Sequence, residues 1–223
     1  MTSSLRSLKI FLFIFWVLLI NDCSTSDHSR EAKDTMKNAA PQEELSKWKS
    51  HLRKLVTQYR LKPDELVVIV EVTQQKLYVL KDEKVIRTYP VSTSKYGIGN
   101  EEGSNKTPLG THQIYEKVGG GAEIGTIFKA CMNTGRIAEI YHDSTDVEQD
   151  FVITRIMCLE GLEPGVNKGE GIDTRHRRIY LHGTPEEGLI GRPASHGCIR
   201  MKNDDVVELF DLVKIGTLVE IKE

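Results

Sequence analysis

From Glu65 onward the apolar positions fall into short runs rich in β-branched and aromatic residues. Residues 65–73 (ELVVIVEVT), 75–82 (QKLYVLKD) and 84–94 (KVIRTYPVSTS) are broken by the polar turns Gln74-Gln75 and Asp82-Glu83. That spacing predicts a three-stranded meander. Residues 111–117 (THQIYEK), 151–160 (FVITRIMCLE), 177–183 (RRIYLHG) and 217–223 (TLVEIKE) read as further strands. Gly119-Gly120-Gly121 reads as a hairpin tip. Two segments show helical spacing instead. Across 44–60, Leu45, Trp48, Leu52, Leu55, Val56 and Tyr59 form one apolar stripe, predicting a helix packed on the domain. Asn203 can N-cap a second helix with Asp204 and Asp205 in its first turn. Val206, Val207, Phe210 and Val213 form its apolar face, and Gly216 is placed to end it. No alternation of strand and helix supports a doubly wound sheet, so the predicted class is mainly β.

The irregular segments are as informative. Residues 96–110 (YGIGNEEGSNKTPLG) carry four glycines and a proline and predict a long loop. A second long loop, roughly 161–175, is expected to cover substrate. At the N-terminus, Arg6 and Lys9 precede the eleven-residue apolar run Ile10–Ile20. A basic stretch before a short apolar run is the signal-peptide pattern, and eleven residues are too few to cross a hydrocarbon core of about 30 Å. Asn21-Asp22-Cys23 lacks the small residues of a cleavage site. An uncleaved anchor and lipidation at Cys23 therefore stand beside a cleaved signal. The resulting organisation is 1–22 signal peptide or anchor, 23–43 polar linker, 44–60 amphipathic helix and 61–223 main strand-rich domain. Each alternative for the N-terminus predicts an exported protein, on the periplasmic or envelope side of the inner membrane.

Composition adds exclusions. A chain of 223 residues with 39% hydrophobic and 28% charged residues is ordinary for a globular domain, and a net charge of −2 offers no general attraction for nucleic acid. Four cysteines at irregular spacing (Cys23, Cys131, Cys158, Cys198) do not make a disulfide framework. A Cys131–Cys158 bridge is conceivable in an exported protein, but two buried small hydrophobes are the favoured reading.

The chemistry concentrates in Ser195-His196-Gly197-Cys198-Ile199-Arg200, preceded by His182-Gly183-Thr184. A thiol with a pKa near about 8.5 needs a neighbouring histidine to become a nucleophile, and an acyl transfer needs N–H groups aimed at the developing oxyanion. Gly197 lets the backbone bend just before Cys198, so amides of His196, Gly197 and Cys198 can converge. Arg200 adds positive charge that favours a thiolate or a substrate carboxylate. Spacing alone leaves His182 and His196 both open as the base.

The run HGTPEEGLIGRPASHGCIRM (182–201) resembles the signature of the L,D-transpeptidase catalytic domain family (YkuD-type). KLYVLKDEKVIRTYPVSTSKYGIG resembles that family's opening strands and KTPLG its Thr-Pro-x-Gly turn, so the resemblance covers about residues 65–222. It implies an L,D-transpeptidase-like β-sandwich with a C-terminal-side helix, preceded by the N-terminal helix. It also implies Cys198 as nucleophile and His182 as base, with Gly183 orienting His182 through its carbonyl. Gly197, His196 and Ser195 shape the site and its oxyanion hole, and Arg200 and Thr184 bind substrate. The twelve residues between His182 and Ser195 are slightly fewer than the family commonly has. The implied donor and acceptor are peptidoglycan stem peptides, with a wall-anchored lipoprotein or water as other acceptors; no cofactor, metal or nucleic acid is implied. Against this stand a zinc peptidase using His182, His196 and Cys198, a sortase-type transpeptidase and a non-catalytic wall-binding module. The sequence lacks an HExxH-type base for the first. Gly99–Thr107 has the wrong spacing for a phosphate loop, and His112, His142 and His176 are expected at the surface.

Overall fold

The computed structural model describes residues 41–147 and 149–223. The signal or anchor segment and the linker up to residue 40 lie outside the described residues. Helix α1 (Pro41–Tyr59) is followed by β1 (Val67–Glu71), β2 (Lys76–Lys81), β3 (Lys84–Ser92), β4 (Gly110–Val118), β5 (Thr126–Lys129), β6 (Met132–Ile137), β7 (Val152–Gly161) and β8 (Tyr180–Gly183). A single turn of 3-10 helix (Glu187–Leu189), β9 (Ile199–Met201), α2 (Asn203–Leu212) and β10 (Leu218–Lys222) complete the chain.

The meander forms as the turns dictate. Asp82 and Glu83 both adopt positive φ (49° and 57°), the conformation that lets a two-residue turn follow the twist of its strands. The sheet order is β4-β10-β1-β2-β3-β9-β8-β7-β5-β6, and β4 also pairs with β7. Hydrogen bonding therefore runs around both margins and closes the sandwich, leaving β5 and β6 as a hairpin attached to β7. Closure removes the exposed edges an open sheet would carry. β1 reads as an unbroken apolar run because both its faces are covered. Val68 and Val70 join the main core, whereas Val67 and Ile69 meet Trp48, Leu52 and Leu55 of α1. The helix stripe thus serves packing on the domain, although Val56 remains 40% exposed. Helix α2 covers the core with Val206, Leu209 and Phe210.

Four local expectations are corrected. The hairpin β5–β6 was not anticipated, because β6 is exposed along its whole length and shows no apolar alternation. Gly119–Gly121 joins β4 to β5, which pair with other strands and not with each other, so it is no hairpin tip. Asn203 is the first residue of α2, not its cap: the Glu187 carboxylate accepts the Asn203 N–H at 2.8 Å, and Lys202 holds the cap position. The helix ends at Leu212, where Val213 turns extended, and Gly216 (φ 89°) instead shapes the turn into β10.

Candidate active site

β8 lies between β7, antiparallel to it, and β9, parallel to it, with His182 in register with Arg200. Leu181 and Ile199 anchor these short strands in the core at 0% exposure, which fixes the backbone from which His182 and Cys198 emerge. His182 is wholly buried. Its Nδ1 donates to the Gly183 carbonyl at 2.7 Å, since a carbonyl can only accept. That bond leaves the lone pair on Nε2, which has no hydrogen-bond partner among the described residues. Burial lowers the His182 pKa, partly offset by the Asp150 carboxylate and the Gly183 carbonyl.

Cys198 sits at the turn entering β9. Its sulfur accepts the Tyr180 N–H at 3.4 Å and donates toward the Arg178 carbonyl at 3.5 Å. Arg178 has φ 57°, a left-handed conformation unusual for its type, and this aims the carbonyl at the thiol. Burial, with Asp150 adding to it, pushes the thiol up to about 12, while the Tyr180 N–H, Arg200 and Arg177 pull the other way. Cys198 and His182 are thus both favoured in their neutral forms at rest.

The turn before Cys198 is held from several sides. Ser195 Oγ donates to the Cys198 carbonyl at 2.6 Å and accepts the Gly197 N–H at 3.2 Å. Gly197 has φ 127°, and a Cβ there would lie 3.3 Å from Ile179. Thr107, in the Thr-Pro turn, donates to the Gly197 carbonyl at 3.0 Å and accepts the Ser94 N–H at 3.0 Å. The loop 96–110 is thereby tied to the cysteine turn.

Two of the three amides expected to converge on an oxyanion have partners within the protein. The His196 N–H is taken by Asp150 Oδ2 at 3.2 Å and the Gly197 N–H by Ser195. The Cys198 N–H is the one of the three that neither Asp150 nor Ser195 takes. Asp150 also receives His196 Nδ1 at 3.0 Å, while the His196 ring lies 5.6 Å from that of Tyr96. Arg200 is 2% exposed, held between Asp150 and Glu186. Thr184 is also buried, its Oγ1 accepting the Glu186 N–H at 3.2 Å. Burial works against the Asp150 carboxylate, but Arg200, His182 and His196 outweigh it and its pKa falls. For Glu186 burial wins over Arg200 and the pKa rises. Asp150, Glu186, Tyr180, Arg178 and Thr107 were not singled out from the sequence. Glu186 lies within the run 182–201 and Thr107 within KTPLG, but neither carried a role there, and Asp150, Tyr180 and Arg178 lie outside both.

A cavity of about 900 Å³ is lined by Tyr180 and Arg178, whose backbones contact the Cys198 sulfur, and by Arg175, His176, Glu170 and Glu102 among others; Cys198 itself is not part of the lining. Both charge signs face it. The long loop after β7 forms part of its wall and is tied to β4 and to the loop 96–110. Buried Asn167 donates to the Thr111 and Leu109 carbonyls at 3.0 and 3.2 Å, and Arg177 reaches the Gly99 and Lys106 carbonyls. Of the histidines expected at the surface, His142 and His176 are exposed and face Glu187 and Glu102, but His112 is wholly buried against Thr174 and Asn167.

A mainly β domain that ends one strand in His-Gly and opens its parallel neighbour from Ser-His-Gly-Cys defines a narrow class. The chain belongs to the L,D-transpeptidase catalytic domain family, whose YkuD model matches residues 65–221. Over 47 residues (21% of this chain, 27% of the relative) it is 51% identical to the putative L,D-transpeptidase YqjB of Bacillus subtilis strain 168. Over 45 residues (20% of this chain, 14% of the relative) it is 51% identical to the probable L,D-transpeptidase ErfK/SrfK of Escherichia coli K12. The matched stretches thus span well under a third of those relatives' lengths. Among solved structures, L,D-transpeptidase 3 from Mycobacterium tuberculosis, in complex with a faropenem-derived adduct, aligns with TM-score 0.44 and 20% identity over 71% of this chain and 60% of that one.

Proposed function

We propose that this chain is an exported cysteine acyltransferase that acts on peptidoglycan stem peptides as an L,D-transpeptidase. The observation that carries the reading is the state of His182. Its Nδ1–H is locked onto Gly183, so the unpartnered Nε2 is the atom free to take a proton, one strand away from the Cys198 thiol. Such a pair fits acyl transfer in which deprotonation accompanies attack.

In this reading the Cys198 sulfur attacks the carbonyl of the third stem residue as His182 Nε2 takes the thiol proton. The oxyanion meets the Cys198 N–H. Collapse expels the terminal D-alanine amine, which leaves with the proton from His182, and a thioester remains. An acceptor amine then resolves it. Cations and carboxylates on the cavity wall suit a stem residue such as diaminopimelate, which carries both an amine and a carboxylate. Arg200 and Thr184, both buried, support the turn and its electrostatics more directly than they touch substrate. A stem amine gives a 3→3 crosslink, a lipoprotein lysine anchors that protein to the wall, and water gives carboxypeptidase activity. Export, periplasmic location and any N-terminal anchor belong to this same reading.

The test is incubation of the chain with a disaccharide-tetrapeptide carrying diaminopimelate, followed by mass spectrometry, with Cys198→Ala in parallel. A crosslinked dimer lacking one D-alanine is the expected product. Tripeptide monomer alone assigns the chain to hydrolysis or to a protein acceptor. Unchanged tetrapeptide with both acceptors supplied sinks the proposal.

A further inference from the structure

Cys131 and Cys158 stand apart from this chemistry and close to each other. Their sulfurs are 3.9 Å apart, 27 residues apart along the chain, and both thiols are free. Cys158 is fully buried on β7, flanked in register by Glu116 on β4 and Tyr180 on β8. Cys131 is partly exposed in the two-residue turn between β5 and β6. Ala130 and Cys131 both hold positive φ there (49° and 62°), although neither is the glycine or asparagine such a turn ordinarily takes. The turn brings the Cys131 sulfur over Cys158 within the small apolar cluster around Phe128 and Ile156.

We infer that Cys131 and Cys158 are a disulfide-forming pair. A disulfide needs an S–S separation near about 2.05 Å, so the sulfurs must approach by about 2 Å. The hairpin can supply that movement, because among the described residues β6 pairs only with β5 and is exposed throughout. The oxidant is a small or protein disulfide, and the chemistry balances as exchange. The more accessible Cys131 attacks as thiolate and forms a mixed disulfide, releasing one thiol. Cys158 then displaces the second. Two protein thiols are oxidised, one external disulfide is reduced to two thiols, and the two protons leave with them.

Closure has two consequences. It leaves Cys198 as the sole thiol among the described residues. It also removes the S–H that Cys131 directs at the Tyr180 hydroxyl (3.7 Å), on the residue whose N–H contacts Cys198 and whose side lines the cavity. The pairing itself does not depend on the proposed function.

The test equilibrates the full chain in glutathione buffers of rising oxidised fraction, quenches with N-ethylmaleimide and maps peptides by mass spectrometry. The expected result is a Cys131–Cys158 linked peptide with loss of both maleimide labels, and a higher melting temperature in the oxidised buffer. Cys131→Ser should abolish the linkage and that temperature shift. In Cys158→Ala, Cys131 should accumulate instead as a glutathione adduct. Persistent labelling of both cysteines in the wild-type chain, or linkage of Cys131 to Cys198 in its place, overturns the inference.

Discussion

Asp150 Oδ1 accepts from both Nε and Nη2 of Arg200, at 3.0 and 2.7 Å. The guanidinium is 2% exposed and its far side is closed by Glu186. Removing one member of such a buried set strands the others without their counter-charge, at a cost of about 3–5 kcal/mol. Arg200→Met should therefore lower the unfolding free energy by roughly that amount in urea titration. A loss below about 1 kcal/mol, the range of exposed ion pairs, would mean that water already screens the cage.

Asp150 also links this cage to the proposed catalysis, since its charge opposes the burial that lowers the His182 pKa and it holds His196 through both its N–H and Nδ1. Asp150→Asn should reduce kcat more than it raises KM. It removes the carboxylate that stabilises the imidazolium formed during attack, and leaves the cavity wall unchanged. A change confined to KM would assign Asp150 to substrate binding.

The proposed roles predict sharply different losses at two residues. Cys198→Ala should retain the wild-type melting behaviour and lose all acyl-enzyme formation. His182→Gln should keep the thiol and slow acylation by about 10²–10⁴-fold, the usual worth of a positioned general base. Acylation of His182→Gln at the wild-type rate would transfer the base role to another group.

Burial lowers the His182 pKa below its ordinary 6.5, so Nε2 stays unprotonated through the neutral range. The acid limb of kcat/KM should accordingly fall below pH 6.5. In Asp150→Asn it should move lower still, because the charge that favours the imidazolium is gone. An acid limb above 6.5 in the wild type would contradict a desolvated base.

His112 offers a stability test away from the site. It is buried, and desolvation lowers its pKa from 6.5 to about 4. Its protonated form is favoured in the unfolded chain, so stability should fall as pH drops from about 6.5 toward about 4, by up to about 3 kcal/mol from this residue alone. His112→Gln should flatten that part of the melting-temperature profile relative to wild type, whatever its effect at neutral pH.

The strand meander, the two helices and the Ser-His-Gly-Cys turn were legible because each is written in local chemistry. Short runs of β-branched and aromatic residues fix the strands, the polar pair Asp82-Glu83 fixes a turn, and Gly197 permits the bend before Cys198. The hairpin β5–β6 was not legible. Its strands are short, and β6 gains its place from pairing with β5 and not from burial. His112 looked like a surface residue because nothing near it in sequence signals the loop of Asn167 and Thr174 that covers it.

The sequence alone determined the mainly β class, the two amphipathic helices and the candidates proposed as nucleophile and base, since side-chain type and periodicity are local properties. Only the tertiary structure decided which groups serve them. Sheet closure and the parallel pairing of β8 with β9 bring His182 into register with Arg200, and the packed loops carry Asp150, Arg178 and Thr107 to the same turn. The same packing committed the His196 and Gly197 amides to internal partners and set Cys131 beside Cys158. Those outcomes depend on contacts between residues far apart in the chain, where hydrogen-bond satisfaction and burial, and not local preference, fix the geometry.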